Sequence, residues 1–197
     1  MLKPGLTLYL VRHGETDWNR AQRYQGQQDV PLNDTGRAQA ARNGRCLAGV
    51  LGPRAAHIDF IASPLLRARE TMEIMRREMG LPAAGYSTDE RLREIHYGHW
   101  EGQLWAELPR LDPAGFAARE ADRWGWQPRG GESYRELSER VACWLEGLEQ
   151  DAVVAAHGGV MRVLRGRLLG LRPDEIFALD VPQDRVLVIA AGRSSWL

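Results

Sequence analysis

Short apolar runs alternate along the chain with longer segments in which apolar residues recur at helical spacing. A run of four to eight apolar residues is typical of a strand that is buried on both faces. Such runs predict four strands: Leu6–Val11 (LTLYLV), His57–Ser63 (HIDFIAS), the AVVAA of residues 152–156 and Arg185–Ala191 (RVLVIAA). The region from Arg12 to Leu32 is rich in polar residues and turn formers, which favours a loop.

Helix start and stop signals mark the segments between these strands. Asn33 is expected to cap a helix that runs to about Val50, with Gly52-Pro53 as its stop. Ser63 is expected to cap a second helix, which ends at Gly80. Two further helices are predicted, one after Gly131 and one after a tight turn at residues 157–159. This alternation predicts an α/β fold with a parallel sheet covered by helices.

Residues 97–131 do not follow this alternation of strands and helices. They contain four tryptophans among prolines, glycines and short helical pieces, namely Trp100, Trp105, Trp124 and Trp126. We expect this segment to form a small helical cap excursion within one domain that spans residues 1–197. The alternative is a surface helical hairpin with aromatic packing.

Composition narrows the possible partners. The 26 basic and 26 acidic residues balance, so bulk charge indicates neither nucleic acid nor an anionic membrane as a partner. No apolar run approaches the roughly 20 residues of a membrane span, and Pro4 and Gly5 interrupt the first one, which argues against a signal peptide. Cys46 and Cys143 fall within helix-like apolar patterns and are expected to be reduced core thiols, which fits a cytoplasmic protein.

Three of the predicted strands end in residues that suit an anion site. The first ends in Arg12 and His13, the second is followed by Arg67, and the third ends in His157 and Gly158. Because ligands of α/β sheets bind beyond the carboxyl ends of the strands, neighbouring strands would bring these side chains together. The second and third endings are also helix starts, where free N–H groups favour an anion. Each feature alone has a plain structural explanation, but their coincidence predicts an anion site.

Four sequence blocks carry a resemblance to a known family. The blocks LYLVRHGETDWN, ASPLLRARET, LREIHYGHWEG and AAHGGVMR resemble, in order, the signature blocks of the histidine phosphatase superfamily, the phosphoglycerate mutase-like proteins. They extend from residue 8 to about residue 165. The resemblance implies a three-layer α/β/α sandwich with a mostly parallel central sheet, and a phosphohistidine intermediate.

The resemblance also implies roles for individual residues. His13 would be the nucleophile, a neutral imidazole whose inner nitrogen donates to a backbone carbonyl and whose pKa nearby cations depress. Arg12 and Arg67 would hold the phosphoryl oxygens. His157 would donate to the same oxygens, in its protonated form when the dianion is bound. The implied neutral donors and substrate contacts are Asn19, Gln25, Gly26 and Gly158.

Glu94 matches the acid of the family. A nearby phosphate and partial burial are expected to let it carry the proton that a leaving alkoxide requires. From the residues alone, an ion pair with Arg91 or Arg93 explains Glu94 equally well. His96 and His99 raise the question of a metal, but Gly98 argues against a helix that presents both, and no metal or cofactor requirement is expected.

Phosphatase and mutase activities can share such a site. The 62 residues between Glu94 and His157 resemble the compact phosphatase branch, whereas mutases of the family tend to have a longer insertion there. The predicted function is therefore a phosphomonoester phosphatase that acts on a small-molecule phosphate ester. Phosphoglycerate mutase-type transfer and a weakly catalytic regulatory binding module remain the alternatives. The sequence leaves the physiological substrate and the oligomeric state open.

Overall fold

A six-stranded mixed sheet forms the centre of the protein, for which a computed structural model describes residues 2–197. In chain order the strands are β1 Thr7–Arg12, β2 Asp59–Ala62, β3 Ser87–Thr88, β4 Ala152–Ala156, β5 Val186–Ala190 and β6 Arg193–Trp196. Across the sheet they lie in the order β3-β2-β4-β1-β5-β6. The first four are parallel to one another, and β5 and β6 are antiparallel to their neighbours.

Helices cover both faces of the sheet, as the predicted three-layer α/β architecture requires. One apolar core lies between the sheet and the helices α2 (Asp34–Leu51) and α3 (Leu66–Glu78), and a second lies between the sheet and the helices α6 (Tyr134–Glu146) and α7 (Gly158–Leu169). Alternate residues of β1 supply the two cores, since Tyr9 and Val11 belong to one and Leu8 and Leu10 to the other. The helices are α1 Asp17–Arg20, α2 Asp34–Leu51, α3 Leu66–Glu78, α4 Leu108–Leu111, α5 Pro113–Ala121, α6 Tyr134–Glu146, α7 Gly158–Leu169 and α8 Pro173–Phe177.

Two of the expectations about capping and burial are wrong. The Asn33 side chain caps α2 as expected, accepting from the Gly36 N–H at 2.9 Å. Ser63 does not cap α3, because Leu65 occupies the cap position and no side chain bonds there. Cys143 is exposed on α6 and Cys46 is only partly buried, so the thiols are free but are not core residues.

The segment 97–131 contains the short helical pieces that the sequence predicts. Turns of 3₁₀ helix at Gly98–Trp100 and Trp105–Glu107 precede α4 and α5. Trp100 is buried, and its ring centroid lies 4.3 Å from that of Trp126. Within residues 2–197, no helix is long and apolar enough to cross a membrane.

A close backbone contact joins the first turn of α2 to the loop after β1. A β-carbon on Gly14 would lie 2.2 Å from the Gly36 carbonyl oxygen, and one on Gly36 would lie 2.1 Å from the Glu15 carbonyl oxygen. Neither backbone has room for a side chain. The contact presses α2 against the residues that follow His13, and it explains why both positions are glycine.

We expect Gly36→Ala and Gly49→Ala, both within α2, to change stability in opposite directions. Alanine is normally preferred to glycine inside a helix by about 1 kcal/mol. A β-carbon on Gly49 would have no atom within 4 Å, so Gly49→Ala is expected to stabilise the protein by up to about that amount. Gly36→Ala forces backbone apart and is expected to cost roughly 1–3 kcal/mol. Urea unfolding measures both, and a stabilised Gly36→Ala variant would contradict the close contact.

Candidate active site

The three strand endings singled out in the sequence meet at one edge of the sheet. Strand β4 lies between β1 and β2, and all three are parallel. The His13 N–H donates to the Ala156 carbonyl at 2.9 Å, and the Ser63 N–H donates to the Ala155 carbonyl at the same distance. The ring centroids of His13 and His157 are 5.1 Å apart. The predicted convergence is therefore confirmed.

His13 is held as a neutral imidazole with its outer nitrogen unprotonated. The ring is 2% exposed, and Nδ1 lies 2.8 Å from the Gly14 carbonyl oxygen. Because a carbonyl can only accept, Nδ1 carries the proton and Nε2 carries a lone pair. Burial lowers the pKa of His13 well below its usual value, and the charges of Arg67 and Arg12 lower it further.

Arg67 is a buried guanidinium, each of whose three nitrogens donates one hydrogen bond at the site. Its Nε donates to His13 Nε2 at 3.2 Å, and its two terminal nitrogens donate to the carbonyls of Gln28 and Gly26, both at 2.7 Å. Burial lowers the pKa of Arg67 to about 10, which leaves the group charged at neutral pH. A fixed positive charge therefore lies directly beside the lone pair of His13.

Arg12 supplies a second cation. One of its terminal nitrogens donates to the Val181 carbonyl at 2.9 Å, whereas its Nε is buried and has no partner among the described residues. Burial lowers the pKa of Arg12, and the negative charge of Glu94 acts in the opposite direction. An unpartnered buried donor on a cation favours an anionic ligand.

A cavity of about 170 Å³ opens in front of these groups. Most of the site residues predicted from the sequence lie on its wall, but His157 does not. The described lining residues are Arg12, His13, Asn19, Arg23, Tyr24, Gln25, Gly26, Arg67, Glu94, Tyr97, Gly158, Gly159 and Arg162.

His157 lies behind this wall and is fully buried. Its Nε2 is 2.7 Å from the Ser63 hydroxyl, and that hydroxyl also accepts from the Leu65 N–H at 3.3 Å. The other ring nitrogen, Nδ1, is buried and has no partner within the described chain. Burial, followed by the charge of Arg67, lowers the pKa of His157 well below its usual value.

Hydrogen bonds to their carbonyl oxygens orient the amide side chains of Asn19 and Gln25. Asn19 Oδ1 accepts from the Thr16 N–H at 3.2 Å and from Gln183 Nε2 at 3.0 Å. Gln25 Oε1 accepts from the Thr16 hydroxyl at 2.9 Å. Since the oxygens are occupied, the amide nitrogens of Asn19 and Gln25 are left as donors at the cavity.

The Glu94 carboxylate is bound to the start of α7. Both of its oxygens accept from the Gly159 N–H at 3.1 Å, and one also accepts from the Ile95 N–H. Neither of the suggested arginine pairs forms: Arg91 pairs with Asp89, and Arg93 pairs with Glu90. The ion-pair explanation of Glu94 is therefore wrong, and its carboxyl group faces the cavity.

Several residues at the cavity had no predicted role. Arg162 lies one helical turn after Gly158 on α7, so helical spacing could have identified it. Arg23, Tyr24 and Tyr97 come from irregular segments that give no such signal. The tryptophans of residues 97–131 are absent from the lining, and Tyr97 is the part of that segment that reaches it.

A second group of unpredicted residues supports the wall from behind. Gln183 donates to the His13 carbonyl as well as to Asn19. Glu101, whose side chain is 4% exposed, accepts from the backbone N–H groups of Gln27 and Tyr97 at 2.9 and 3.0 Å. These contacts tie the first loop of the chain to the 97–131 segment.

A family model described as "Histidine phosphatase superfamily (branch 1)" matches residues 8–197. The chain belongs to the histidine phosphatase superfamily. A nucleophilic histidine is a general feature of that superfamily, and its members include phosphatases and mutases.

Individual members of the superfamily are similar over most of their length. A glucosyl-3-phosphoglycerate phosphatase of Mycolicibacterium vanbaalenii is 34% identical, over 96% of this chain and 82% of its own. The phosphoglycerate mutase-like protein 4 of Arabidopsis thaliana is 36% identical, over 81% and 70%. The structure of a mycobacterial glucosyl-3-phosphoglycerate phosphatase complexed with VO3 superposes with a TM-score of 0.78 at 30% identity, over 98% and 96%.

The two buried histidines predict a pH-dependent stability. Below about pH 6.5 the unfolded chain binds protons at both rings, whereas the folded chain, with lowered pKa values, does not. The free energy of unfolding is therefore expected to fall as the pH decreases from 7 to 5.5, by up to about 1.4 kcal/mol per pH unit for each ring.

Urea unfolding at several pH values measures this dependence. His13→Asn removes one of the two rings and is expected to reduce the slope. His57→Asn removes an exposed histidine and serves as the control, for which the slope should stay as in the parent protein. Equal slopes in all three proteins would show that His13 is not the source.

Proposed function

We propose that the protein is a phosphomonoester phosphatase that hydrolyses a small phosphorylated metabolite through a phosphohistidine intermediate. One observation carries the proposal: the lone pair of His13 Nε2 lies beside the buried guanidinium of Arg67, at the wall of a cavity that Arg12 also lines. A phosphoryl group that binds to these cations meets a nucleophile whose tautomer is already set.

In the first step, His13 Nε2 attacks phosphorus and the bond from phosphorus to the ester oxygen breaks. Arg12 and Arg67 offset the charge of the phosphoryl oxygens, and the amides of Asn19 and Gln25 supply neutral donors. The N–H of Gly158, at the start of α7, adds a donor and the positive end of the helix dipole. The unpartnered Nδ1 of His157 is proposed to donate to the same oxygens, with the Ser63 hydroxyl then donating to Nε2.

Glu94 is proposed as the acid and then the base. It delivers a proton to the oxygen of the departing alcohol. In the second step a water molecule attacks the phosphorus of phosphohistidine, gives its proton to Glu94, and orthophosphate leaves His13. The Gly159 N–H contacts keep the carboxyl group at one place for both transfers.

Residues 97–131 are proposed to form the cap on the cavity. They meet the first loop through an antiparallel bridge between Arg23 and Leu104 and through the Tyr24 N–H, which donates to the Gln103 carbonyl at 3.0 Å. The 97–131 segment and the first loop thus close one side of the site together.

Mutase activity is the second candidate, because relatives with mutase names cover most of the chain. Both reactions share the first step and differ in what removes the phosphoryl group from His13. The 62 residues between Glu94 and His157 favour hydrolysis, since they leave room for one short cap and no larger insertion.

The decisive experiment follows p-nitrophenyl phosphate hydrolysis at mildly acidic pH in the presence of EDTA. The parent protein is expected to turn over, and His13→Ala is expected to lose activity by orders of magnitude because the covalent step is removed. Acid-labile, base-stable radiolabel on the protein after a quench with a phosphorylated substrate would identify the intermediate. Full activity in His13→Ala would refute the proposal, and isomerisation of 3-phosphoglycerate without release of phosphate would favour the mutase.

Glu94→Gln is expected to harm esters of alkyl alcohols much more than p-nitrophenyl phosphate. An alkoxide needs a proton to depart, whereas p-nitrophenolate is a stable anion that leaves without one. The measurement is kcat for glycerol 3-phosphate and p-nitrophenyl phosphate in the parent and in the variant. Equal losses on both esters would contradict a role as acid.

A further inference from the structure

The chain around Glu94 is irregular and depends on other parts of the fold for support. A turn of 3₁₀ helix ends at Leu92, and residues 93–97 form neither helix nor strand. Because the carbonyls of such a segment lack the regular partners of a helix or a sheet, their hydrogen bonds must come from elsewhere in the protein. The position of Glu94 therefore depends on the groups that bind this segment.

Arg140 of α6 binds the backbone that leads into Glu94. Its Nη1 donates to the carbonyls of Arg91 at 2.7 Å and Arg93 at 3.0 Å, and its Nη2 makes a longer contact of 3.5 Å with the Glu94 carbonyl. Arg140 is absent from the described lining residues of the cavity. A contribution of Arg140 to the reaction would therefore pass through the residues that it holds.

Glu132 fixes the direction of the Arg140 side chain. Its two carboxylate oxygens accept from Arg140 Nε at 2.9 Å and Nη2 at 2.7 Å, which is the two-point geometry that a guanidinium makes with a carboxylate. Only 23% of the Arg140 side chain and 17% of the Glu132 side chain are exposed. The Glu132 N–H also donates to the His96 carbonyl at 2.8 Å, so the ion pair is joined directly to the segment 93–97.

The carboxyl group of Glu94 is held by a different helix. The Gly159 N–H of α7 binds the carboxylate, and Gln27 of the first loop donates to the Glu94 carbonyl at 3.1 Å. Gly159 thus fixes the end of the side chain, and Arg140 fixes the backbone from which the side chain extends. A displacement of about 1 Å in a reacting group can cost about 100-fold in rate, so both ends matter to a proton transfer.

We propose that Arg140 is a positioning residue for proton transfer, which holds the backbone of Glu94 where its carboxyl group reaches the oxygen of the departing alcohol. Glu132 orients Arg140 for this role. This proposal rests on the phosphatase function with Glu94 as its acid, and it adds two residues that act through that acid. Supporting contacts of this kind keep a reacting group within the narrow range of positions that the chemistry requires.

A comparison of two leaving groups tests the proposal. Arg140→Met is expected to lower kcat/KM for glycerol 3-phosphate at least about tenfold more than kcat/KM for p-nitrophenyl phosphate, because only the alkoxide needs the proton. The value of kcat/KM covers the steps up to departure of the alcohol, so the hydrolysis of phosphohistidine does not enter the comparison. A general loosening of the site would lower both values alike and leave their ratio unchanged.

Three further variants separate the role of Arg140 from a loss of charge or of folding. Arg140→Lys keeps the charge without the planar fork and is expected to recover only part of the parent ratio. Glu132→Gln is expected to change the ratio in the same direction by a smaller factor, and it tests the proposal even if Arg140→Met does not fold. Arg167→Met is the matched control, because Arg167 also donates to a carbonyl of α6, that of Ser138, but away from the cavity, and it should keep the parent ratio.

A combined variant shows whether Arg140 acts through Glu94. In a Glu94→Gln protein, the further change Arg140→Met is expected to leave the ratio of the two esters unchanged, because both substitutions affect the same proton transfer. A further change of the ratio in the combined variant, or an unchanged ratio in Arg140→Met alone, would overturn the assignment.

Hydrogen exchange separates failure of this proposal from failure of the phosphatase function. Peptides that cover residues 91–97 are expected to exchange faster in Arg140→Met than in the parent protein and in Arg167→Met. Absence of p-nitrophenyl phosphate hydrolysis by the parent protein would refute the function and the proton-transfer role with it, and the exchange would still show whether Arg140 holds the segment. Hydrolysis of p-nitrophenyl phosphate, with an unchanged ester ratio in Arg140→Met, would leave the function standing and refute the positioning role.

Discussion

The buried guanidinium of Arg67 constrains the site more than any other group. Burying a charge is costly unless its donors find acceptors, and Arg67 finds them in two loop carbonyls and the ring of His13. The loop must therefore turn the carbonyls of Gly26 and Gln28 inward. Gly26 does so with φ of +52°, and a β-carbon there would overlap the Glu101 carboxylate. The loop is thus fixed by Arg67 on the inside and by Glu101 on the outside.

Burial and the same cation together account for the neutral state of the two histidines. Burial lowers the pKa of both rings, and the charge of Arg67, whose Nε lies 3.2 Å from His13 Nε2, lowers the pKa of both further. The site therefore presents fixed positive charges and neutral imidazoles together. Such a site is preorganised for an anion, because it has few mobile groups to rearrange when charge arrives.

The sequence predicted the parts of the site that follow from strand ends. Apolar runs located β1, β2 and β4, and the rule that parallel strands end at one edge brought Arg12, His13 and His157 together. The roles of Asn19, Gln25 and Glu94 came from the family resemblance alone, because loop residues carry no periodic signal. Ser63 was wrongly predicted to cap α3 because a serine followed by a proline is typical of a helix start. Its hydroxyl instead contacts His157, which follows β4 about 90 residues later in the sequence.

Gln183 could not have been predicted in this way. It reaches His13 and Asn19 from the segment before β5, across 170 and 164 residues of sequence. The antiparallel entry of β5 beside β1 brings it there, and no local pattern specifies that contact. Long-range support of this kind depends on the assembled fold, which is why propensity and motif reasoning find the reacting groups before the residues that hold them.

The wall of the cavity divides into two parts with different construction. His13, Gly158, Gly159 and Arg162 lie on strand ends and on α7, whose first turn also holds Glu94. Arg23, Tyr24 and Tyr97 lie on two irregular segments, which are joined by the Arg23–Leu104 bridge and by the contact between the rings of Tyr24 and Tyr97. In the proposed reaction, α7 therefore fixes the position of the acid Glu94 relative to the Gly158 N–H. The irregular segments bound the rest of the substrate, and changes of size there leave that helix in place.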